Sequence, residues 1–298
     1  MTDPAATSKG RGGRHRWYSS ISMHTPNGQD QRKQAVRLFW EKMSCGEVYA
    51  EGDSLAAQLE AQARQRYELE PYLRKFARFE DARGLDVLEV GVGMGADHCE
   101  LARCSPRSLS GVDLTERAVE FTRKRLALYG LTSDLRQADA EKLPFENEGF
   151  DLVYSWGVLH HSPDTKKAID EVWRVLRPGG RARIMIYNKW SIVGLLLWAR
   201  YGAAKGRPFV PLRGVYAQHL ESPGTKAYTV CEAEQLFRRF ADVRICPQLS
   251  FGDLLEGKVG QRHQGLALSV AKALWPRSLI RHALPRLGLY LLIDARRA

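Results

Sequence analysis

Short apolar segments alternate with longer segments of helical periodicity from residue 85 onward. Apolar runs bounded by turn residues are typical of strands, whereas apolar residues spaced by three and four are typical of helices. Seven segments have the strand pattern: 85–90, 109–113, 134–139, 150–156, 181–187, 242–246 and 289–294. Strands that alternate with helices predict an α/β fold, a doubly wound and mostly parallel sheet with helices on both faces.

Several predicted helices have recognisable ends. Thr115 is a good N-cap for the helix after the second strand, and Gly130 is a typical stop for it. Thr229 and Glu232 have the spacing of a capping box. The Arg-Pro-Gly-Gly segment at 177–180 is predicted to be a structural turn that ends a helix.

The first 80 residues lie outside this alternation. Residues 1–28 are polar, small and basic, and we expect a disordered tail. Residues 29–80 contain two amphipathic helical segments, the second bent or restarted at Pro71. Because they precede the first strand, we predict that they form a lid over the site.

Residues 81–298 are predicted to form the sheet domain, with two insertions at 188–228 and 247–288. Connections of that length in a compact sheet are usually functional. Two alternatives remain for the apolar and basic C-terminal insertion: it lies on an anionic membrane surface, or it packs on the body as a lid.

The first predicted strand runs into a glycine loop, VLEVGVGMGAD at 87–97. Gly91, Gly93 and Ala96 fit a dinucleotide fingerprint, and Asp113 lies at about the expected distance. In that case the loop would bind a pyrophosphate, which favours a helix N-terminus free of acids.

The same loop also fits S-adenosylmethionine (SAM). Gly91, Gly93 and Gly95 then follow Glu89, and Asp97 comes directly after the loop. Carboxylates on both sides of the loop suit a cationic ligand better than a pyrophosphate, and SAM carries an ammonium and a sulfonium. The loop alone leaves both ligands open and favours SAM.

Two longer motifs follow the loop: ADAEKLPFENEGFDLVYSWGVLHHSPD at 138–164 and IDEVWRVLRPGGRARIMIY at 169–187. With the loop, they make residues 66–190 resemble the class I SAM-dependent methyltransferases, in the branch that includes quinone and small-molecule methylases. The resemblance implies a seven-stranded sheet of order 3-2-1-4-5-7-6 with the last strand antiparallel. The resemblance argues against NAD-dependent chemistry.

The resemblance also implies a role for residues at the carboxyl ends of the strands. The loop glycines would lie against the methionine part of SAM, Glu89 would face its ammonium, and Asp113 would accept from the ribose hydroxyls. The full set of implied SAM-binding residues is Glu89, Gly91, Gly93, Gly95, Asp113, Leu114, Asp139, Ala140, Ser155 and Trp156. Alternatives stay open for three: a turn role for Asp113, a helix cap for Asp139 and a basic partner for Glu89.

His160 and His161 follow the fourth strand, beside the expected methyl group. If the acceptor is a hydroxyl or an acidic carbon, a base must take its proton, and histidine suits neutral pH. One of the two is therefore a candidate general base; alternatively, both orient the loop. A metal site with Asp164 is not expected, because adjacent histidines rarely converge on one ion.

Further candidates lie on the acceptor side of the site. Aromatic residues before the loop could close over SAM, and Trp40 or Tyr67 could contact the sulfonium through its ring; a helix core role is the alternative for Trp40. The substrate-side candidates are Trp40, Tyr49, Tyr67, Tyr187 and Asn188.

The charge and the cysteine content limit the classes of partner that we expect. The net charge is +11, from 45 Lys and Arg against 34 Asp and Glu, which suits a basic tail or an acidic partner. The five cysteines form no Cys-x-x-Cys pair, which indicates reduced thiols and a cytoplasmic protein with possible peripheral membrane contact. No metal or DNA partner is expected, because no paired metal ligands or nucleic-acid module occurs, and the same absence of a module disfavours RNA.

The predicted function is methyl transfer from SAM to a small-molecule acceptor, apolar or ring-bearing, giving S-adenosylhomocysteine. Three alternatives remain: a lipid or quinone methylase at a membrane surface, an RNA methyltransferase suggested by the net charge, and a SAM-binding protein without activity.

Overall fold

A computed structural model describes residues 26–256 and 272–298. Its centre is one seven-stranded sheet of order β3-β2-β1-β4-β5-β7-β6, in which β7 runs antiparallel to β5 and β6. The strands are β1 Asp86–Val90, β2 Ser108–Asp113, β3 Asp134–Gln137, β4 Phe150–Trp156, β5 Leu176–Tyr187, β6 Phe240–Gln248 and β7 Tyr290–Arg297. The predicted fold class, strand order and antiparallel last strand are confirmed.

Helices flank the sheet and cover one of its ends. They are α1 Pro26–Lys42, α2 Leu55–Leu69, α3 Leu73–Ala77, α4 Ala96–Arg103, α5 Glu116–Leu128, α6 Thr165–Val175, α7 Ile192–Tyr201, α8 Leu212–His219, α9 Val230–Leu236 and α10 Arg277–Ala283. Short 3-10 turns lie at Glu47–Tyr49, Phe79–Ala82, Leu159–His161, Ala203–Lys205 and Pro285–Leu287. Across these described segments, no helix has the length and apolar composition that crossing a bilayer requires.

The core lies on both faces of the sheet. On one face, residues of β1, β4 and β5 pack against α6 and α9. On the other face, Leu73 and Phe79 from the N-terminal region pack against β1 and β4. Because β1, β2 and β4 are parallel and in register, their carboxyl ends meet at the same edge.

The predicted caps are present. The Thr115 hydroxyl accepts from the Ala118 N–H, and the Thr229/Glu232 capping box opens α9. Gly130 has φ 63 after α5, in the left-handed region that favours glycine. The long N-terminal helix is interrupted at Pro71, as predicted, and continues as α3.

Two boundaries differ from the prediction. β5 begins at Leu176, so the Pro178-Gly179-Gly180 segment is a bulge inside the strand and not a turn before it. Leu176 pairs with Phe150, and pairing resumes at Arg181 opposite Leu152, which leaves four residues of β5 beside one of β4. Helix α1 begins at Pro26, inside the segment expected as a tail, and residues 1–25 lie outside the described residues.

Candidate active site

A cavity of about 580 Å³ lies at the carboxyl ends of β1, β2 and β4. Helix α1 and the turn after it form one wall, and Leu220, Glu221 and Phe251 from the two insertions form another. Open α/β sheets bind ligands at this position. The predicted residues that line the cavity are Trp40, Tyr49, Glu89, Gly91, Gly93, Asp113, Leu114, Asp139, Ala140, Trp156, His161 and Tyr187.

The glycine loop is shaped by positive φ angles. Gly91 has φ 87, and a Cβ added there would lie 2.1 Å from Cγ2 of Val158, so the loop touches the segment after β4. Gly93 has φ 54 and nothing within 4 Å of an added Cβ, so its backbone is open toward the cavity. Gly95 begins α4 and packs against Thr122 outside the cavity lining.

Asp113 ties the loop to the end of β2. Its carboxylate accepts from the Gly93 N–H at 3.1 Å and from the N–H and hydroxyl of Thr115 at 3.0 and 2.9 Å. Burial raises the pKa of Asp113, and these three donors act against that rise. The carboxylate therefore holds the loop and remains at the cavity surface.

Glu89 has a basic partner, the alternative left open by the sequence. Its Oε2 lies 2.9 Å from Nδ1 of His98, whose Nε2 lies 2.8 Å from the Ser133 hydroxyl. Ser133 donates its own proton to the Leu109 carbonyl, so His98 Nε2–H must donate to Ser133.

The Glu89–His98 pair consequently shares one proton between Oε2 and Nδ1. Burial lowers the pKa of His98 to about 3 and raises the pKa of Glu89 well above its usual value, which favours the proton on the carboxyl. The pair is net neutral in either arrangement. A positive charge beside Glu89 would favour the arrangement with the proton on His98.

Asp97 lies at the centre of a cluster of donors behind the loop. It accepts from Nε of Arg66 at 2.9 Å, from Tyr67 at 2.9 Å and from Tyr154 at 2.8 Å. Burial opposes ionisation, but Arg66 and the two hydroxyls lower the pKa of Asp97. This contact holds Tyr67 outside the cavity lining, although the sequence suggested a place on the acceptor side.

Asp139 is engaged by a residue that sequence reasoning missed. Lys33 of α1 donates to Asp139 Oδ2 at 2.5 Å and to Glu141 Oε2 at 3.0 Å. The other Asp139 oxygen accepts from the Glu141 N–H at 2.9 Å. The ion pair therefore anchors α1 to the end of β3, across the cavity edge.

Two further predicted residues do not line the cavity. Ser155 is fully buried and donates to the Val90 carbonyl at 2.8 Å, which joins β4 to β1. Asn188 donates to the Gly288 carbonyl at 2.8 Å and ties β5 to the segment before β7. Both side chains make contacts inside the fold, and neither is among the residues that line the cavity.

The two adjacent histidines have different surroundings. His160 is 0% exposed, has no hydrogen-bond partner at either ring nitrogen, and lies outside the cavity lining between His161 and Tyr187. Burial lowers the pKa of His160 well below its usual value. His161 lines the cavity, and the edge of its ring lies against Trp40.

The hydrogen bonds of His161 favour one tautomer. Nδ1 lies 2.8 Å from the Ser222 hydroxyl and 3.1 Å from the Thr225 hydroxyl. Thr225 donates its proton to the Ser222 carbonyl at 2.6 Å, so its oxygen is free to accept, and this favours a hydrogen on Nδ1. In that tautomer Nε2 carries the lone pair, and no hydrogen bond is donated to it.

Glu221 completes this group, and no sequence motif indicated it. Its Oε2 lies 3.3 Å from His161 Nε2 and accepts from the Tyr187 hydroxyl at 2.7 Å. His160, His161 and Glu221 each place one possible ligand atom within 4.8 Å of the others. Asp164 is not part of this group, because it caps α6 by accepting from the Lys167 N–H.

Comparisons with known proteins identify the domain. Residues 88–184 match a methyltransferase domain family. The phthiotriol/phenolphthiotriol dimycocerosates methyltransferase of Mycobacterium tuberculosis is 42% identical over 101 residues, 34% of this chain and 37% of that protein. The methyltransferase GfsG of Streptomyces halstedii is 33% identical over 170 residues, 56% of this chain and 59% of that protein. The matches thus span less than two thirds of these relatives.

A solved structure has the same fold. The SAM-dependent methyltransferase of Mesorhizobium loti superposes with a TM-score of 0.51 at 20% identity, over 80% of this chain and all of that one. The cavity also fits SAM, because the open backbone at Gly93 and the carboxyl groups of Glu89 and Asp113 all line it. Residues 88–184 are therefore similar to a methyltransferase domain, as the motifs predicted, and the fold is that of a solved SAM-dependent methyltransferase.

Proposed function

We propose that this protein transfers the methyl group of SAM to a hydroxyl group of a small, largely apolar acceptor, with His161 as the general base. The observation that carries the proposal is the position of His161 Nε2, which accepts no hydrogen bond and lies 3.3 Å from the Glu221 carboxylate, in the cavity that also contains the glycine loop. A hydroxyl is a weak nucleophile until its proton leaves, so this acceptor class needs such a base.

The residues around the glycine loop would hold the cofactor. Gly91 and Gly93 would lie against its methionine part, Glu89 would face the ammonium, and Asp113 and Asp139 would accept from the ribose and the adenine amine. SAM supplies an electrophilic methyl group on a sulfonium. Since Lys33 occupies one oxygen of Asp139, the adenine amine would have to share that carboxylate with Lys33.

His161 would take the acceptor proton at Nε2. Its Nδ1–H is held by Ser222 and Thr225, which orients the ring and keeps the lone pair at Nε2. Glu221, 3.3 Å from that nitrogen, would stabilise the imidazolium that forms, and Tyr187 holds Glu221 in place. Glu221 lies beside the nitrogen that takes the proton, unlike the carboxylate of a Ser-His-Asp triad, which binds the other ring nitrogen.

The acceptor side of the cavity is mainly apolar. Trp40, Met185, Phe251 and Tyr290 line it, which suits a molecule with an apolar or ring-bearing body. One relative is named as a methyltransferase of phthiotriol and phenolphthiotriol dimycocerosates, which favours the same class of acceptor. Residues 29–80 would act as a lid: α1 covers His161 through Trp40, and an acceptor would have to displace that contact.

Calorimetry with SAM and S-adenosylhomocysteine, followed by a labelled-methyl screen of cell extract fractions, tests the proposal. We expect SAM binding, and label in the apolar small-molecule fraction. His161→Gln should lower kcat by roughly 10²–10⁴-fold and leave the SAM Kd unchanged. His160→Gln is the matched comparison, since its ring lies outside the cavity. Unchanged turnover of His161→Gln at every pH would contradict the base assignment, and label in RNA would contradict the acceptor class.

A further inference from the structure

The described parts of the two insertions, residues 188–228, 247–256 and 272–288, form a cap with exposed apolar side chains. We call the docking face the set Leu195, Leu196, Phe209, Leu274 and Leu279. Phe209 is 96% exposed, Leu274 79% and Leu279 62%. Single exposed apolar residues are ordinary, but several on adjoining elements mark an interaction site.

The elements that carry the docking face pack on one another. Helix α7 contacts α8, and Ile192 of α7 shares a buried cluster with Leu254 and with Ile280 of α10. On α7, the exposed residues are Leu195, Leu196, Ala199 and Arg200, so three of the four are apolar, while Leu197 is buried. The exposed leucines therefore belong to one fixed part of the fold.

Two parts of these insertions have only basic residues among their charged side chains. Residues 188–220 and 272–288 contain no Asp or Glu. Their basic residues are Lys189, Arg200, Lys205, Arg207, Arg213, Lys272, Arg277, Arg281 and Arg286. Lys189 pairs with Glu232 and Arg281 with Glu256, both from outside these segments, and Lys205, Arg207 and Arg213 are exposed.

The cap also borders the cavity. Leu220, Phe251 and Lys272 line it, so the docking face adjoins the wall through which an apolar molecule would approach His161. Apolar side chains surrounded by Lys and Arg are the pattern of a protein that lies in the interface of an anionic bilayer.

From these contacts we infer that the cap docks on an anionic phospholipid membrane, with the docking face in the headgroup region and the basic residues around it. A second copy of this chain fits less well, because a two-fold interface would set basic surfaces against each other without acids. RNA fits less well because the face is mainly leucine and offers few rings for bases to stack on. The inference does not depend on methyl transfer.

Vesicle flotation of the full chain tests the surface. The vesicles are phosphatidylcholine alone, or phosphatidylcholine with roughly one third phosphatidylglycerol. We expect flotation only with the anionic vesicles, weakened by salt. Leu195→Gln/Leu196→Gln should reduce partitioning by about ten-fold per leucine. Lys205→Glu/Arg207→Glu should reduce it by at least about five-fold per charge.

The matched control is Leu128→Gln/Lys124→Glu on α5, an exposed leucine and lysine away from the cap. It should float like the wild type, and all variants should bind SAM equally by calorimetry. If a variant loses SAM binding, the result concerns the proposed function. If a docking-face variant loses flotation but still binds SAM, the result supports the docking face. The inference is overturned if the wild type does not float, if the control fails equally, or if Leu195→Gln/Leu196→Gln abolishes dimerisation or RNA binding in place of vesicle binding.

Discussion

The contact between Gly91 and Val158 joins the glycine loop to the segment that carries His161, and it gives a sharp test of the site's construction. In Gly91→Ala, the added methyl would lie 2.1 Å from Val158 Cγ2 and 2.9 Å from its Cβ. These distances are far inside van der Waals contact, so the loop or the segment after β4 must shift.

The expected cost has two parts. An alanine at φ 87 is strained by about 1–2 kcal/mol, and crowding a packed site adds about 1–3 kcal/mol. Gly91→Ala should therefore lower the free energy of unfolding by about 2–5 kcal/mol. Gly130→Ala is the matched control, because Gly130 has φ 63 and nothing within 4 Å of an added Cβ. The variant Gly130→Ala should lose only the stability that backbone strain costs, about 1–2 kcal/mol.

A second substitution isolates the crowding. Val158→Ala removes the two methyl groups that the new Cβ would meet, so the double variant Gly91→Ala/Val158→Ala should lose less stability than the sum of the single variants. We expect a coupling of roughly 1–3 kcal/mol in urea unfolding. SAM calorimetry on the same variants should show weaker binding for Gly91→Ala. Equal losses for Gly91→Ala and Gly130→Ala, or an additive double variant, would refute the argument.

Three other changes have expected outcomes. Asp97→Asn should destabilise the fold by about 3–5 kcal/mol in thermal unfolding, because it removes the buried carboxylate that Arg66 pairs with and leaves this guanidinium only Glu70 at 3.5 Å, whereas Glu120→Gln in an exposed pair should cost under about 1 kcal/mol. Burial lowers the pKa of Lys226 to about 8, so this side chain binds its proton more tightly in the unfolded chain and contributes a rise of up to about 3 kcal/mol to the unfolding free energy between about pH 8 and 10.5. Burial raises the pKa of Cys99, which acts in the opposite direction, so the rise is measured as the unfolding free energy of the wild type minus that of Lys226→Met. Tyr187→Phe should lower kcat by about ten-fold with an unchanged SAM Kd, because Glu221 loses its donor; an unchanged kcat would remove Glu221 from the mechanism.

Local pattern was sufficient for the fold. The strands are apolar runs, the helices carry caps such as Thr115 and Thr229, and a glycine loop between strand and helix fixes the ligand edge. The β5 boundary was missed because Pro and Gly in sequence look alike in a turn and in a bulge. Only the pairing of Leu176 with Phe150 separates the two.

The site was harder to predict where it depends on long-range contacts. Lys33 reaches Asp139 across 106 positions, and Glu221 meets His161 from an insertion without a motif. His98 was not considered as a partner of Glu89, although the two are nine residues apart. The sequence proposed two equivalent histidines, and only packing separates them: His160 is enclosed, whereas His161 lines the cavity.

The position of β7 between β5 and β6 has a consequence for synthesis on the ribosome. A nascent chain that has reached residue 248 contains β6 but not the strand that pairs with it, since β6 bonds to residues 290–297. Until those residues emerge, β5 and β6 both present unpaired edges, which are templates for association with other chains. We therefore expect the sheet to be completed late, and the growing chain to be most vulnerable to aggregation, and most dependent on chaperones, while residues 249–289 are being made.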